Sequence, residues 1–340
     1  MRLLLAGDVM LGRLVNRALQ RLPPEYPWGD TLPLFAAADW RMCNLECVIS
    51  DRGKPWSATP KIFHFRSDAA NVAVLEAARI DVVSNANNHA LDYGYDAMLD
   101  MLRILNDAQI SYAGAGHDLA AASRAAISQV RGLKIGVLAF TDNEPDWEAA
   151  AGEAGVWFVP IDLEDPRAVR LQAEIRRARK ETELLLVSAH WGPNWGSEPP
   201  PGHIKFGRAL IDAGADAVFG HSGHIFRGIE IYRQRPIIYC AGDFIDDYAV
   251  DEVEHNDRSM IFTLEYNQGS LGKIRLYPTV IRDFQARLAR GREAEWIGLK
   301  MQQLCANLAT PSLWLKDEQC LEIKLPADQQ IILKKHVSHR

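Results

Sequence analysis

Short apolar runs alternate with amphipathic stretches along most of the chain, the pattern of strands joined by crossover helices. The runs predict strands over 2–6, 39–45, 80–84, 134–140, 184–190, 215–219 and 236–240, and helices over 69–78, 95–108, 166–180 and 204–213. Between 259 and 280, Ile261, Thr263 and Glu265 and then Ile274, Leu276 and Pro278 alternate about Asn267-Gln268-Gly269, which predicts a β-hairpin. Turn-rich loops at 52–60 and 192–202 are of the kind that borders sites. Beyond Asp283 come a charged helix, a mixed segment and, over 321–333, an alternation expected of an edge strand. The expected organisation is one α/β domain over residues 1–283, with residues 284–340 as a C-terminal extension packed on it.

Composition adds limits. The 340 residues, 48% hydrophobic and 24% charged, suit a globular chain able to bury a sizeable core. A formal net charge of −6 offers no general attraction to nucleic acid or to an anionic membrane, so neither is an expected partner. No apolar stretch approaches the ~18 residues of a membrane span. The N-terminal run Leu3-Leu4-Leu5-Ala6 is too short for a secretory signal. Five cysteines at irregular spacing contain no Cys-x-x-Cys pair and read as buried free thiols. The expected compartment is cytoplasmic.

Open α/β sheets bind ligands beyond the carboxyl ends of their strands, and here polar residues follow the apolar runs closely. Asp8 ends the first run, where it suits a metal ligand or a helix cap, and Arg13 five residues later suits an anionic group. Asn44 and Glu46 flank the end of the second run, and a carboxylate there can bridge two cations. Asn85, Asn87, Asn88, His89 and Asp92 crowd the end of the third, a density no core strand could satisfy with hydrogen bonds. A carboxylate on one nitrogen of His89 would orient the ring and leave the other for proton transfer or ligation. His190 ends a very apolar strand, and His221 and His224 occupy a glycine-containing turn suited to zinc, manganese, iron or nickel. Asp243 ends a further run and would support the site through a hydrogen bond. Trp191, Trp195 and Phe226 are candidates for an apolar wall at the rim, with packing as the competing role. Trp296 and Trp314 in the extension could cover an edge, lid the site or carry a homodimer contact.

Six ordered motifs over residues 2–283 resemble the CapA-type poly-γ-glutamate capsule synthesis proteins, whose domain is similar to the calcineurin-like metallophosphoesterases. They are Gly7-Asp8 with Arg13, Asn44-Leu45-Glu46, the run from Ala86 to Gly94, His190-Trp191-Gly192, Gly214-Ala215-Asp216 leading to His221 and His224, and Tyr239 to Phe244. The resemblance implies a four-layer α/β/β/α sandwich of metallophosphoesterase type with a dinuclear centre at one rim. It implies that Asp8 binds the first metal, Glu46 bridges, Asn88 and His190 bind the second, and His221 and His224 complete the sites, with His89, paired with Asp92, as proton donor. Two departures stand out: Met10 occupies the place where a histidine usually follows the first aspartate, and the bridging position holds Glu46 where an aspartate is usual. In the loop before the last histidine, His221-Ser222-Gly223-His224 replaces the His-His-Pro-His common in the capsule family.

The expected activity is therefore that of a hydrolase dependent on one or two divalent ions (manganese, zinc or iron), cleaving an amide (γ-glutamyl or a related peptide) or a phosphoester. Arg13 would grip the anionic small-molecule or peptide-like substrate. The alternative expectation is a non-catalytic metal- or polymer-binding scaffold in poly-γ-glutamate capsule synthesis.

Overall fold

A computed structural model of the chain describes residues 1–267 and 269–325. Side chains alternate across a strand, and each central strand divides its apolar residues between two layers accordingly. In Arg2–Val9, Leu3 and Leu5 enter one layer and Leu4 and Ala6 another. In Leu184–His190, Leu184 and Leu186 join that same first layer while Leu185 and Val187 enter a third. The shared layer is the filling between two sheets.

The first sheet runs in the order Leu313–Leu315, Cys320–Lys324, Ser270–Arg282, Arg258–Asn267, Arg2–Val9, Trp40–Leu45, Val82–Ser84, Ser111–Ala113. The second runs Ile229–Tyr232, Arg235–Ile238, Ala217–His221, Leu184–His190, Leu133–Thr141, Ala126–Val130. The strands that bear the polar ends are parallel within each sheet.

Helices cover both outer faces. Gly94–Asp107 buries Ala97, Met98, Met101 and Leu105 at helical spacing against the first sheet. On the second sheet, Pro166–Ala178 and Pro201–Ala213 bury Leu171, Ile175, Phe206 and Leu210. The result is the four-layer α/β/β/α sandwich that the resemblance implied.

Departures from the sequence reading are local. The helix expected over 69–78 is a 3-10 turn, Ala69–Asn71, followed by Val72–Ala77. Arg13–Leu19, an unexpected helix, is seven residues long and fully buries only Val15, so it leaves no periodic signal. Cys320–Lys324 is not an edge strand: Ser270–Arg282 pairs on one side and Leu313–Leu315 on the other. Residues 326–333 of that expected strand, and Gln268 of the hairpin turn, lie outside the described residues. The helix Gly291–Asn307 closes the inter-sheet layer with Ile297, Met301 and Leu304, and the Trp314 ring lies where a Cβ on Gly298 would be 2.3 Å away. The cysteines are buried and unpaired. Among the described residues no helix is long and apolar enough to cross a membrane.

Candidate metal centre

Strand parity aims most of the site. Asn44 lies two residues beyond Met42, and His190 and His221 lie two beyond Ser188 and Phe219, all on the inward face. By the same count Asp8 would face outward with Leu4 and Ala6. A β-bulge prevents this: Ala6 pairs with Cys43 and Asp8 with the next residue, Asn44, so Gly7 is the extra residue and Asp8 turns inward. Only glycine fits there, since a Cβ on Gly7 would stand 2.0 Å from the carbonyl oxygen of Gly242.

The two sheets meet at these strand ends. Asn44 Nδ2 donates to Asp8 Oδ1 at 2.7 Å, and Ser222, at a left-handed φ of 97°, donates its N–H to Asp8 Oδ2 at 3.2 Å. His190 and His221 approach Nδ1 to Nδ1 at 2.9 Å, so at most one carries hydrogen there. His190 Nε2 meets Asn88 Oδ1 at 2.9 Å, and His221 Nε2 meets the Ser188 hydroxyl at 2.7 Å. Two donor groups result, Asp8 with His190 and His221, and Asp8 with Glu46 and Asp243, each with ligand atoms within 4.8 Å of one another. Asp8 is common to both. His224 stands one step out, with Nδ1 on Asp243 Oδ1 at 3.1 Å, and belongs to neither group.

The donor set fits a divalent cation. Asp8, Glu46, Asp243 and Asp246 are buried, and among the described residues no lysine or arginine pairs with any of them. Glu46 Oε2, Asp243 Oδ2 and Asp246 Oδ2 are enclosed without a hydrogen bond. Burial, reinforced by the Asp243 charge, pushes the Asp8 carboxyl up to about 8. Burial and the carboxylates of Asp8, Asp243 and Asp246 raise Glu46 well above its ordinary value. Burial lowers the imidazoles, His221 to about 3, which keeps them in the neutral, ligating form. A cation would compensate such a group of acids.

His89 and Asp92 lie beside this group. His89 Nδ1 and Asp92 Oδ2 are 2.6 Å apart, and the Phe65 ring stacks on the imidazole at 3.9 Å. Burial lowers the His89 pKa against the raising pull of Asp92. Lys61, not singled out from the sequence, bonds the Asn88 carbonyl oxygen at 2.7 Å and Glu144 at 2.9 Å, and its ammonium lies 3.5 Å from Asp92. Lys61 directly follows the turn-rich loop 52–60 read from the sequence, whose direction the sequence did not show. Asp246 and Tyr248 were also missed, although they directly continue the Tyr239 to Phe244 motif.

Among the described residues Arg13 bonds none of the donor groups. Its Nε bonds Asp247 at 3.2 Å, and its guanidinium lies within 6 Å of the Phe63, Phe65 and Tyr248 rings. Of the three aromatics considered for the rim, Trp191 and Phe226 are core residues, and Trp191 Nε1 is bonded to the Tyr239 carbonyl. Trp195, 43% exposed and 5.6 Å from the His224 ring, does stand at the rim.

Known proteins resemble this chain in fold and in sequence. A crystal structure of a hypothetical protein from Thermus thermophilus is similar in fold, with a TM-score of 0.50 at 16% identity, over 82% of this chain and 98% of that one. The chain is 33% identical over 337 residues to the probable polyglutamine synthesis accessory protein of Mycobacterium tuberculosis, covering 86% of this chain and 88% of the relative. It is 30% identical over 243 residues to the PGA biosynthesis protein CapA of Bacillus subtilis, covering 71% of this chain and 62% of the relative. The model of the bacterial capsule synthesis protein PGA_cap matches residues 2–248, which hold every residue of the two donor groups, and the chain belongs to that family.

Proposed function

We propose that this protein is a metal-dependent hydrolase of an anionic substrate, cleaving a γ-glutamyl or related amide, or a phosphoester. The observation that carries the reading is the juxtaposition of an uncompensated buried donor set, Asp8, Glu46, Asp243, His190 and His221, with the oriented pair His89 and Asp92. Asn88, whose amide oxygen meets His190, joins the residues that would hold the cation, and His224 stands behind them with its Nδ1 on Asp243. A bound divalent ion supplies Lewis acidity there, lowering the pKa of water and polarising the scissile group.

The chain's own residues do the rest. Asp92 holds the His89 ring through Nδ1 and, against the lowering by burial, favours the doubly protonated ring, whose Nε2–H, with no protein partner among the described residues, delivers the proton to the leaving oxygen or nitrogen. Phe65 keeps water from one face of that ring. Arg13, fixed by Asp247 and three aromatic rings, offers its terminal nitrogens to a carboxylate or phosphate. Relatives named for PGA biosynthesis and polyglutamine synthesis favour the γ-glutamyl amide.

The test is turnover of γ-glutamyl oligomers and phosphoesters by protein loaded with manganese, zinc or iron. His89→Ala should lower kcat about 10²- to 10⁴-fold with cation content unchanged. One observation favours a non-catalytic scaffold: Met10 Sδ accepts the Gly12 N–H at 3.0 Å within the core and supplies no nitrogen ligand. Bound cation without turnover on any of these substrates would establish that reading instead.

A further inference from the structure

The two donor groups differ in chemistry. One contains two imidazoles and the Asp8 carboxylate, the other three carboxylates and no nitrogen. The difference traces to two positions. Met10, where a histidine could have supplied nitrogen, is turned into the outer core, and Asp243 stands directly across the strand pairing from Asp8. Asp243 is fully buried, and its Oδ2, like Oε2 of Glu46, is enclosed without a hydrogen bond. Further oxygen surrounds it: Asp246 Oδ2 and Tyr248 Oη are also buried and unpartnered.

We infer that Asp243 is a cation ligand, forming with Asp8 and Glu46 an all-oxygen position that takes a hard divalent ion, beside an Asp8–His190–His221 position that takes zinc or ferrous iron. Carboxylate sets suit magnesium and manganese, whereas imidazole raises the preference for zinc and iron. Sharing Asp8 makes the centre a mixed pair, selective by ligand type rather than by affinity alone. His224, bonded to Asp243 Oδ1, orients that carboxylate. The inference rests on the metal-dependent reading above and deepens it.

The experiment loads the metal-free full chain with Zn2+ and Mn2+ together, removes free ions, and measures both by elemental analysis, with the Mn2+ resonance spectrum as a second readout. The expected result is about one equivalent of each, with manganese in an oxygen-donor signature. Asp243→Asn should weaken Mn2+ binding at least about tenfold and keep Zn2+, while His221→Ala should do the reverse. Thermal melting checks that each variant is folded, and the wild-type competition decides the matter if one is not. Two equivalents of zinc with manganese displaced, or unchanged Mn2+ affinity in folded Asp243→Asn, would overturn the inference and leave the hydrolase reading standing. Binding of neither ion would overturn both.

Discussion

Replacing Asp8 by asparagine should make the cation-free protein more stable at neutral pH and less stable in acid. The Asp8 carboxyl is displaced from 3.8 to about 8 in the folded state by burial first and the Asp243 charge second. Below pH 3.8 the carboxyl is protonated whether the chain is folded or not, and the shift has no effect on stability. As pH rises, the unfolded chain releases its proton while the folded chain keeps it, so stability falls by about 1.4 kcal/mol per unit until pH reaches about 8. At about pH 7.5 the cost is about 5 kcal/mol, and at about pH 4.5 about 1 kcal/mol. Asparagine carries no such cost, but its amide must face either the Asn44 donor or the Ser222 N–H, a mismatch of about 1–3 kcal/mol at any pH. In chelator, Asp8→Asn should therefore exceed wild type by about 2–4 kcal/mol at about pH 7.5 and fall below it at about pH 4.5, a swing of about 4 kcal/mol. Urea melts at the two pH values measure it, and a Tm swing of about 8 °C should accompany it at ~2 °C per kcal/mol. Mn2+ or Zn2+ at roughly 1,000 times Kd should erase or reverse the order at about pH 7.5 by stabilising wild type about 4 kcal/mol. A wild-type to variant difference that stays flat between the two pH values would refute the uncompensated acid cluster.

Three further outcomes follow from single positions. Gly7→Ala should cost about 1–3 kcal/mol in urea melts and abolish stoichiometric cation binding, because its Cβ would force Gly242 away from Asp8, whereas Gly272→Ala, with open space around it, should do neither. Phe262→Ala, which empties part of the layer between the sheets, should cost about 3–5 kcal/mol yet retain the cation stoichiometry of wild type. Asp92→Asn should lower kcat about 10- to 100-fold with KM and metal content near wild type, since the amide oxygen in the place of Oδ2 still accepts from both the Phe65 N–H and the His89 Nδ1–H but no longer carries the charge that favours protonation of the imidazole. Equal losses in kcat and metal content would instead make Asp92 a support of the metal centre.

The sequence by itself determined the alternation of strands and helices and the identity of most of the chemistry, while the four layers were what the family resemblance implied. A run such as Leu184–His190, apolar on both faces, announces a buried parallel strand, and a polar residue at the carboxyl end of such a strand emerges where ligands bind. That is why Asn44, His190 and His221 were legible, and why the dense run from Asn85 to Asp92 could not be core. Helices without a sustained stripe were not legible: Arg13–Leu19 is held by contacts distant in sequence, and its single buried valine announces nothing. Nor could parity alone place Asp8, since the count from Leu4 and Ala6 sends it outward until the bulge at Gly7 reverses it. Only the tertiary structure decided that reversal, because the bulge lets the Gly242 carbonyl approach a backbone far away in sequence. The same long-range pairing puts Asp243 opposite Asp8, separates His224 from the donor groups, and commits Arg13 to Asp247. Local pattern records which face a side chain takes on its own strand; which other strand's carboxylate it then meets is set by pairings that no neighbouring residue encodes.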